Sequence, residues 1–259
     1  MINYWWVTRP KRKLNSVPDV LTTFSEISLN QAWEGARSTH LSLEKALEEA
    51  GLKRVGNRRD QTGGGARTYQ AWIESLGLIF HQESTGHIQL ALAGEALING
   101  ESPVVILKNQ ILKYQFPSSF SLSRGVAVSE MFKIRPFRFL LRLMSDPQIA
   151  YLTEEEIAKI IMVEAENETE KTYNYIVSRI LEFRDKGNSC LDKDFFTKYK
   201  SGKGQVNLAH PYSHLTDTAN TCLNWFEYTQ IVYREGRKVE ILPRKRTRSR
   251  AYLRKIRRS

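Results

Sequence analysis

The sequence predicts a mainly helical α+β fold, built from winged-helix units with short β-hairpin wings and joined by further helices. Three observations predict it. Apolar residues recur at helical spacing through most of the chain. Two short stretches instead alternate with period two beside tight-turn residues. Each of those stretches directly follows a helical pattern, which is the order of a reading helix and its wing.

Taken in order, Ser42 to Ala50 reads as a helix opened by Ser42 and stopped by Gly51. Arg54 to Gly65 is polar and glycine-rich, hence a loop. Ala66 to Leu76 reads as the next helix, with Tyr69, Ile73 and Leu76 on one face, Trp72 beside them, and Gly77 closing it in the left-handed conformation. Leu78-Ile79-Phe80, a turn at Glu83 to Gly86, and His87 to Leu90 make a hairpin. Ala91 to Leu97 starts another helix, closed by Asn99-Gly100. The helix before the hairpin is the expected groove reader of this first unit.

Pro103 to Gln115 reads as a helix stopped by Phe116-Pro117, and Ser118 to Ser129 as a loop. Ile134-Arg135-Pro136 sets up a helix from Phe137 to Met144, whose aromatic and leucine stripe is a packing face. Thr153 and Glu156 have the spacing of a capping box opening a helix to Val163, and Thr169 to Arg184 is a further helix. Pro211 to Phe226 is helical with Leu215, Ala219, Cys222, Leu223 and Phe226 on one side, Glu227 to Tyr233 is a strand, Glu235-Gly236 a turn, and Lys238 to Leu242 the returning strand ended by Pro243. The expected organisation is an N-terminal arm with a first winged-helix unit over 1–100, a helical connection over 101–185, a second winged-helix-like unit over 186–243, and a basic tail over 244–259.

The chain has 259 residues, of which 41% are hydrophobic and 26% charged, as in an ordinary globular protein. Its start lacks the apolar core of a signal peptide, and no run approaches the ~18 apolar residues of a membrane span. Two cysteines, Cys190 and Cys222, are too few for a disulfide framework and fit a reducing cytoplasm. The net charge of +11 favours nucleic acid as partner. Nine of the 39 basic residues fall between Arg244 and Arg258, where no acid occurs, so the rest of the chain is nearly neutral and a DNA footprint there is a local patch. A second basic cluster, Arg9, Lys11, Arg12 and Lys13, follows Trp5 and Trp6.

Catalytic patterns are sparse. His210 and His214 have metal-like spacing, and Cys190 and Cys222 are elsewhere in the chain, but no CxxC pair or common zinc spacing accompanies them, so no metal site is expected. Asp217 follows His214 by three residues without a serine or cysteine elbow. Gly63-Gly64-Gly65 lacks the lysine and hydroxyl residue of a nucleotide-binding loop.

Glycines before a helix let backbone approach a phosphate, while the helix start supplies free N–H groups, so Gly64 and Gly65 are expected phosphate contacts. Arg67 and Gln70 follow in the first turns, where arginine suits guanine and glutamine adenine. Arg58, Arg59 and Gln61 are loop candidates. Arg9, Lys11 and Arg12 are candidates for phosphate, as are Arg244, Lys245 and Arg246 in the tail. In the second unit His214, Thr216, Asp217 and Asn220 are placed to face a groove.

Several runs resemble the N-terminal region of the AlwI family of type IIS restriction endonucleases and nicking enzymes. They are Gly86-His87-Ile88-Gln89-Leu90, Gly94-Glu95-Ala96-Leu97, Leu112-Lys113-Tyr114-Gln115-Phe116-Pro117, and Ile134-Arg135-Pro136-Phe137-Arg138-Phe139 followed by Leu152-Thr153 and Glu156-Ile157. Trp5 and Trp6 before a basic segment add to the likeness, which extends unevenly from Trp5 to Leu242. The resemblance implies recognition of an asymmetric duplex site by a monomer, with Lys113 and Gln115 as further DNA contacts, and cleavage by a separate catalytic domain or subunit using carboxylates and Mg²⁺. That nuclease centre needs an Asp/Glu-x-Lys motif, and no lysine in this sequence has an acid two residues before it. No cofactor and no catalytic residue is therefore expected in this chain. The competing expectations are a stand-alone winged-helix transcription regulator, which would dimerise on a palindrome, and an active Mg²⁺-dependent nuclease with a different centre.

Overall fold

Val17, Val20, Leu21 and Phe24 recur at the spacing of one helical face, with Pro18 and Asp19 in the first turn, and they form helix α1 (Val17–Ser28) with that face buried. The computed structural model describes residues 3–55, 62–123, 127–200 and 212–242. Asn30, at φ 60°, turns the chain into a short extended segment. The Asn30 N–H donates to the Ile88 carbonyl at 3.0 Å, the Ile88 N–H donates to Gln31 at 3.0 Å, and Ala32 bridges His87.

Helix α2 (Arg37–Glu49) starts five residues before the expected Ser42 cap; Ala36 stands at its N-cap and makes no side-chain cap bond. His40, Leu43, Glu44 and Leu47 form its buried face. Helix α3 (Gly64–Ser75) follows Gly63, whose φ of +72° and contact with α2 both demand glycine: a Cβ there would lie 2.5 Å from the His40 Cβ. The hairpin strands β1 (Ile79–His81) and β2 (Ile88–Leu90) pair antiparallel as expected. Helix α4 (Leu92–Ile98) packs on them through Gly94, and helix α5 (Pro103–Lys113) packs against α4. Part of the expected 118–129 loop forms a short helix, α6 (Ser119–Ser123).

The next elements begin with α7 (Pro136–Met144), where the aromatic stripe is buried as expected: Phe137 stacks on Trp225 at 5.6 Å and meets Phe226 edge-on at 5.2 Å. Strand β3 (Tyr151–Thr153) leads into α8 (Glu154–Glu156), a π-helical turn at Ile157–Ile161, and α9 (Met162–Glu164). The capping box is present in both directions: the Glu156 N–H donates to the Thr153 hydroxyl and the Thr153 N–H to the Glu156 carboxylate. Trp5, fully buried, satisfies the far end, donating its backbone N–H to Met162 at 3.0 Å and its indole N–H to Ile161 at 3.1 Å. Helix α10 (Glu170–Lys186) is capped by Thr169, and α11 (Phe195–Lys198) is a single turn.

Helix α12 (Ser213–Tyr228) precedes strands β4 (Val232–Glu235) and β5 (Lys238–Ile241). The expected strand from Glu227 is corrected here. Glu227 and Tyr228 complete α12, whose buried face continues through Trp225 and Phe226, and the strand begins only at Val232. The three strands pair antiparallel in the order β3-β5-β4.

The chain divides into two compact units. The first takes in the described residues within Thr8–Tyr114 and Ser118–Gly125, the second those within Met1–Val7, Gln115–Pro117 and Val126–Ser259. The sequence-derived boundaries at 100/101 and 185/186 fall elsewhere, because α5 belongs with α4 and because β3, α7 and α8 pack with α12 and its hairpin. Each unit runs helix, extended segment, helix, helix, hairpin, and in each the first extended segment pairs with the second hairpin strand. In the second unit α10 and α11 are inserted before the last helix.

Candidate nucleic-acid interface

In the second unit, α12 buries Leu215, Ala219, Cys222, Leu223 and Phe226 against the core. The opposite side is polar along its whole length: Ser213, Thr216, Asp217, Asn220 and Asn224 are all partly accessible and recur at three- and four-residue intervals. His214, Thr216 and Asn220 are thus brought onto one helix, as expected. His214 lies at the edge of this face, its ring 5.2 Å from that of Tyr4, and the Thr216 hydroxyl donates to the Ser213 carbonyl.

The sequence reading missed two residues of this face. Arg234, on β4, donates from one terminal nitrogen to Asn224 Oδ1 at 2.5 Å and from the other to Asn220 Oδ1 at 3.5 Å, while its Nε–H donates to the Gly236 carbonyl. The Asn224 amide in turn donates to Asn220 Oδ1 at 3.1 Å. Asn224 was within reach of sequence reasoning, being one helical turn beyond Asn220; Arg234 was not, since only the packing of the hairpin on α12 places it there. The hairpin turn at Gly236, φ 56°, carries Arg237, whose carbonyl accepts the Glu154 N–H at 2.8 Å. Burial pushes the Glu154 carboxyl above its ordinary range; Arg237 and Arg234 oppose that shift, and the Asp217 and Glu155 charges add to it. The Lys238 ammonium lies 4.5 Å from the Tyr151 ring centre.

In the first unit the expected reading helix exposes less. Thr68 is exposed and Arg67 and Gly64 are half-buried, but α3 buries Tyr69, Gln70, Ala71, Trp72 and Ile73, with α1, α2, α6 and β1 against it. Gln70 is corrected outright: it is 0% exposed, and its amide donates to Glu74 and lies 3.2 Å from His81 Nε2. A side chain so placed offers no edge to a base. Gly65 also has a packing role, because a Cβ there would approach Glu44 Oε1 to 2.7 Å and Lys53 Cε to 2.8 Å. Those two side chains form an ion pair at 2.7 Å, so an anion at Gly65 would meet the Glu44 carboxylate. Arg67 donates to the Thr62 carbonyl at 2.6 Å, which holds its guanidinium beside the helix start.

Arg9 and Lys11 are half-buried, and Arg12 is exposed. Lys113 is exposed in the last turn of α5, and Gln115 is exposed in the second unit. Arg58, Arg59, Gln61, Arg244, Lys245, Arg246 and His210 lie outside the described residues. Among the described residues no three His, Cys, Asp or Glu side chains converge to hold a metal ion, and no helix is long and apolar enough to cross a membrane.

A sequence profile described as AlwI restriction endonuclease matches residues 74–254, about seven-tenths of the chain. The chain belongs to the AlwI restriction endonuclease family. The family match takes in α12, the β4–β5 hairpin and most of the runs on which the resemblance was drawn, and it begins at the end of α3. No curated protein sequence matches the chain. Among solved structures, this AlwI-family chain is similar to the binding domain of the BpuJ1 endonuclease, determined with pyrene- and phenanthrene-modified DNA. The TM-score is 0.61 at 17% identity, over 96% of this chain and 84% of that one, a likeness of fold.

Proposed function

We propose that this chain is the sequence-specific duplex-recognition part of a type IIS-like restriction endonuclease, acting as a monomer in the cytoplasm. The observation that carries it is the unbroken polar face of α12 beside a hairpin bearing Arg234, Arg237 and Lys238, in a chain of a restriction endonuclease family. A helix with one polar side, flanked by a basic hairpin, has the dimensions and chemistry to enter a major groove while the hairpin turn, with Arg237 and Lys238, meets the backbone. The shared order of elements supports a winged-helix description of both units, with α12 and the first turns of α3 as reading helices. The fold of the BpuJ1 binding domain, whose structure holds DNA, supports the same assignment.

Arg9, Lys11 and Arg12 and the tail residues Arg244, Lys245 and Arg246 then supply phosphate contacts. His214, Thr216, Asn220, Arg67, Lys113 and Gln115 lie nearer the bases. Cleavage falls to a separately supplied catalytic domain or subunit with Mg²⁺, consistent with the lack of an Asp/Glu-x-Lys motif in the sequence. The test is binding-site selection from random duplexes followed by incubation of the selected duplex with the protein and Mg²⁺. One short asymmetric consensus with no strand cleavage is expected. A palindromic consensus bound by a dimer, or hydrolysis by the purified chain, would overturn the proposal.

A further inference from the structure

We infer that Arg234, held by Asn224 and Asn220, is a guanine-reading side chain, and that this trio sets one position of the recognised site; the inference rests on duplex recognition as proposed above. A guanidinium has five N–H donors. Three of those on Arg234 are engaged internally, by Gly236, Asn224 and Asn220, which leaves one on each terminal nitrogen. Asn220 Oδ1 already accepts from two donors, so its amide nitrogen is the part left to offer, and Asn224 retains one amide hydrogen. The groups left over, a terminal N–H of Arg234 and an asparagine amide N–H beside it, are therefore donors. In the major groove the edge with two adjacent acceptors and no donor is that of guanine, O6 and N7, whereas adenine presents an amino donor beside N7.

The same donors would suit a phosphate oxygen; the two neutral asparagine amides that share the site with the guanidinium favour a base edge. Three internal bonds also keep the arginine ordered before DNA arrives, so less side-chain entropy is lost on contact. Asn220 and Asn224 act here as positioning residues.

The experiment uses the full chain and the duplex obtained by selection. Each guanine of the consensus is replaced in turn by 7-deazaguanine, which lacks the N7 acceptor, and by inosine, which keeps O6 and N7. At one position 7-deazaguanine should weaken the wild-type protein about ten- to hundredfold while inosine does not, the range of a two-bond contact to one base edge. Arg234→Ala should select any base at that position and lose its sensitivity to 7-deazaguanine there. Arg234→Lys, which keeps the charge, should retain the salt dependence yet lose most of the preference, and Asn224→Ala should lower the preference without altering that dependence. Equal weakening of every duplex by Arg234→Ala, with guanine still required and a shallower salt slope, would mark a phosphate contact and overturn the inference alone. Failure of the wild-type protein to select any sequence would overturn duplex recognition as well.

Discussion

Replacing Gly94 with alanine tests the packing of the first unit at its tightest point. Gly94 lies in α4, where an added Cβ would stand 2.1 Å from the Leu78 carbonyl oxygen and 3.2 Å from Leu90 Cδ2. Ordinary contact at such a position is 3.4–4 Å, so the helix and the start of β1 must separate by more than 1 Å. The Leu78 oxygen is backbone and also accepts the Ala91 N–H at 2.9 Å, so moving it strains the bond that starts α4. Overpacking of this kind costs about 1–3 kcal/mol and a weakened hydrogen bond about 1 more. The gain in helix propensity from glycine to alanine returns at most ~1 kcal/mol. The net expectation is a loss of ~1–3 kcal/mol, read as a lower midpoint in urea unfolding. Gly94→Ala stability equal to or above that of the unchanged protein would show that α4 does not sit this close to β1.

Arg184→Ala should be among the most destabilising single changes, because Arg184 donates to the buried Glu156 carboxylate at 2.6 Å and to the carbonyls of Ile149 and Tyr151; leaving that acid unpaired costs about 3–5 kcal/mol. Thermal melts with Arg184→Ala and the double variant Arg184→Ala/Glu156→Gln check it, the second change recovering part of the loss. The hydrogen bond to Glu74 raises the His81 pKa despite burial, with Glu74 and Glu34 charges adding to it. Protonated His81 therefore stabilises the first unit below pH ~6.5, and that contribution disappears as pH rises through the higher folded value; NMR titration should place His81 above its ordinary range and Glu74→Gln should bring it down. For binding, Lys11→Ala should weaken all duplexes alike and flatten the salt dependence, whereas Arg67→Ala should relax a single position, measured on the selected duplex and a scrambled one.

The capping box at Thr153 and Glu156, the hairpin from Ile79 to Leu90 and the buried stripe of α7 were legible because each depends on neighbours a few residues away. Helix α2 was cut short at Ser42 because its first turn, Arg37 to Leu41, has no capping side chain to announce it. Helix α12 runs two residues beyond the expected Phe226 because the alternation of Glu227 to Tyr233 fits a strand in sequence, whereas Glu227 and Tyr228 complete the last helical turn. The candidate site divided in the same way: Thr216 and Asn220 followed from helical spacing, while Gln70 followed from it too and was misplaced.

Composition, periodicity and local motifs were enough to establish a helical α+β chain with two hairpins and a basic character, since these are properties of short segments and of summed charge, and the likeness of several runs to the AlwI family is borne out by the profile match. Which polar side chains of a helix stay accessible was decided only by tertiary packing. Gln70 faces inward because α1, α2, α6 and β1 surround α3, and Arg234 reaches Asn220 and Asn224 because the hairpin folds onto α12. Spacing along a helix tells which side chains share a face, but desolvation by elements distant in sequence determines whether that face can touch anything outside the protein.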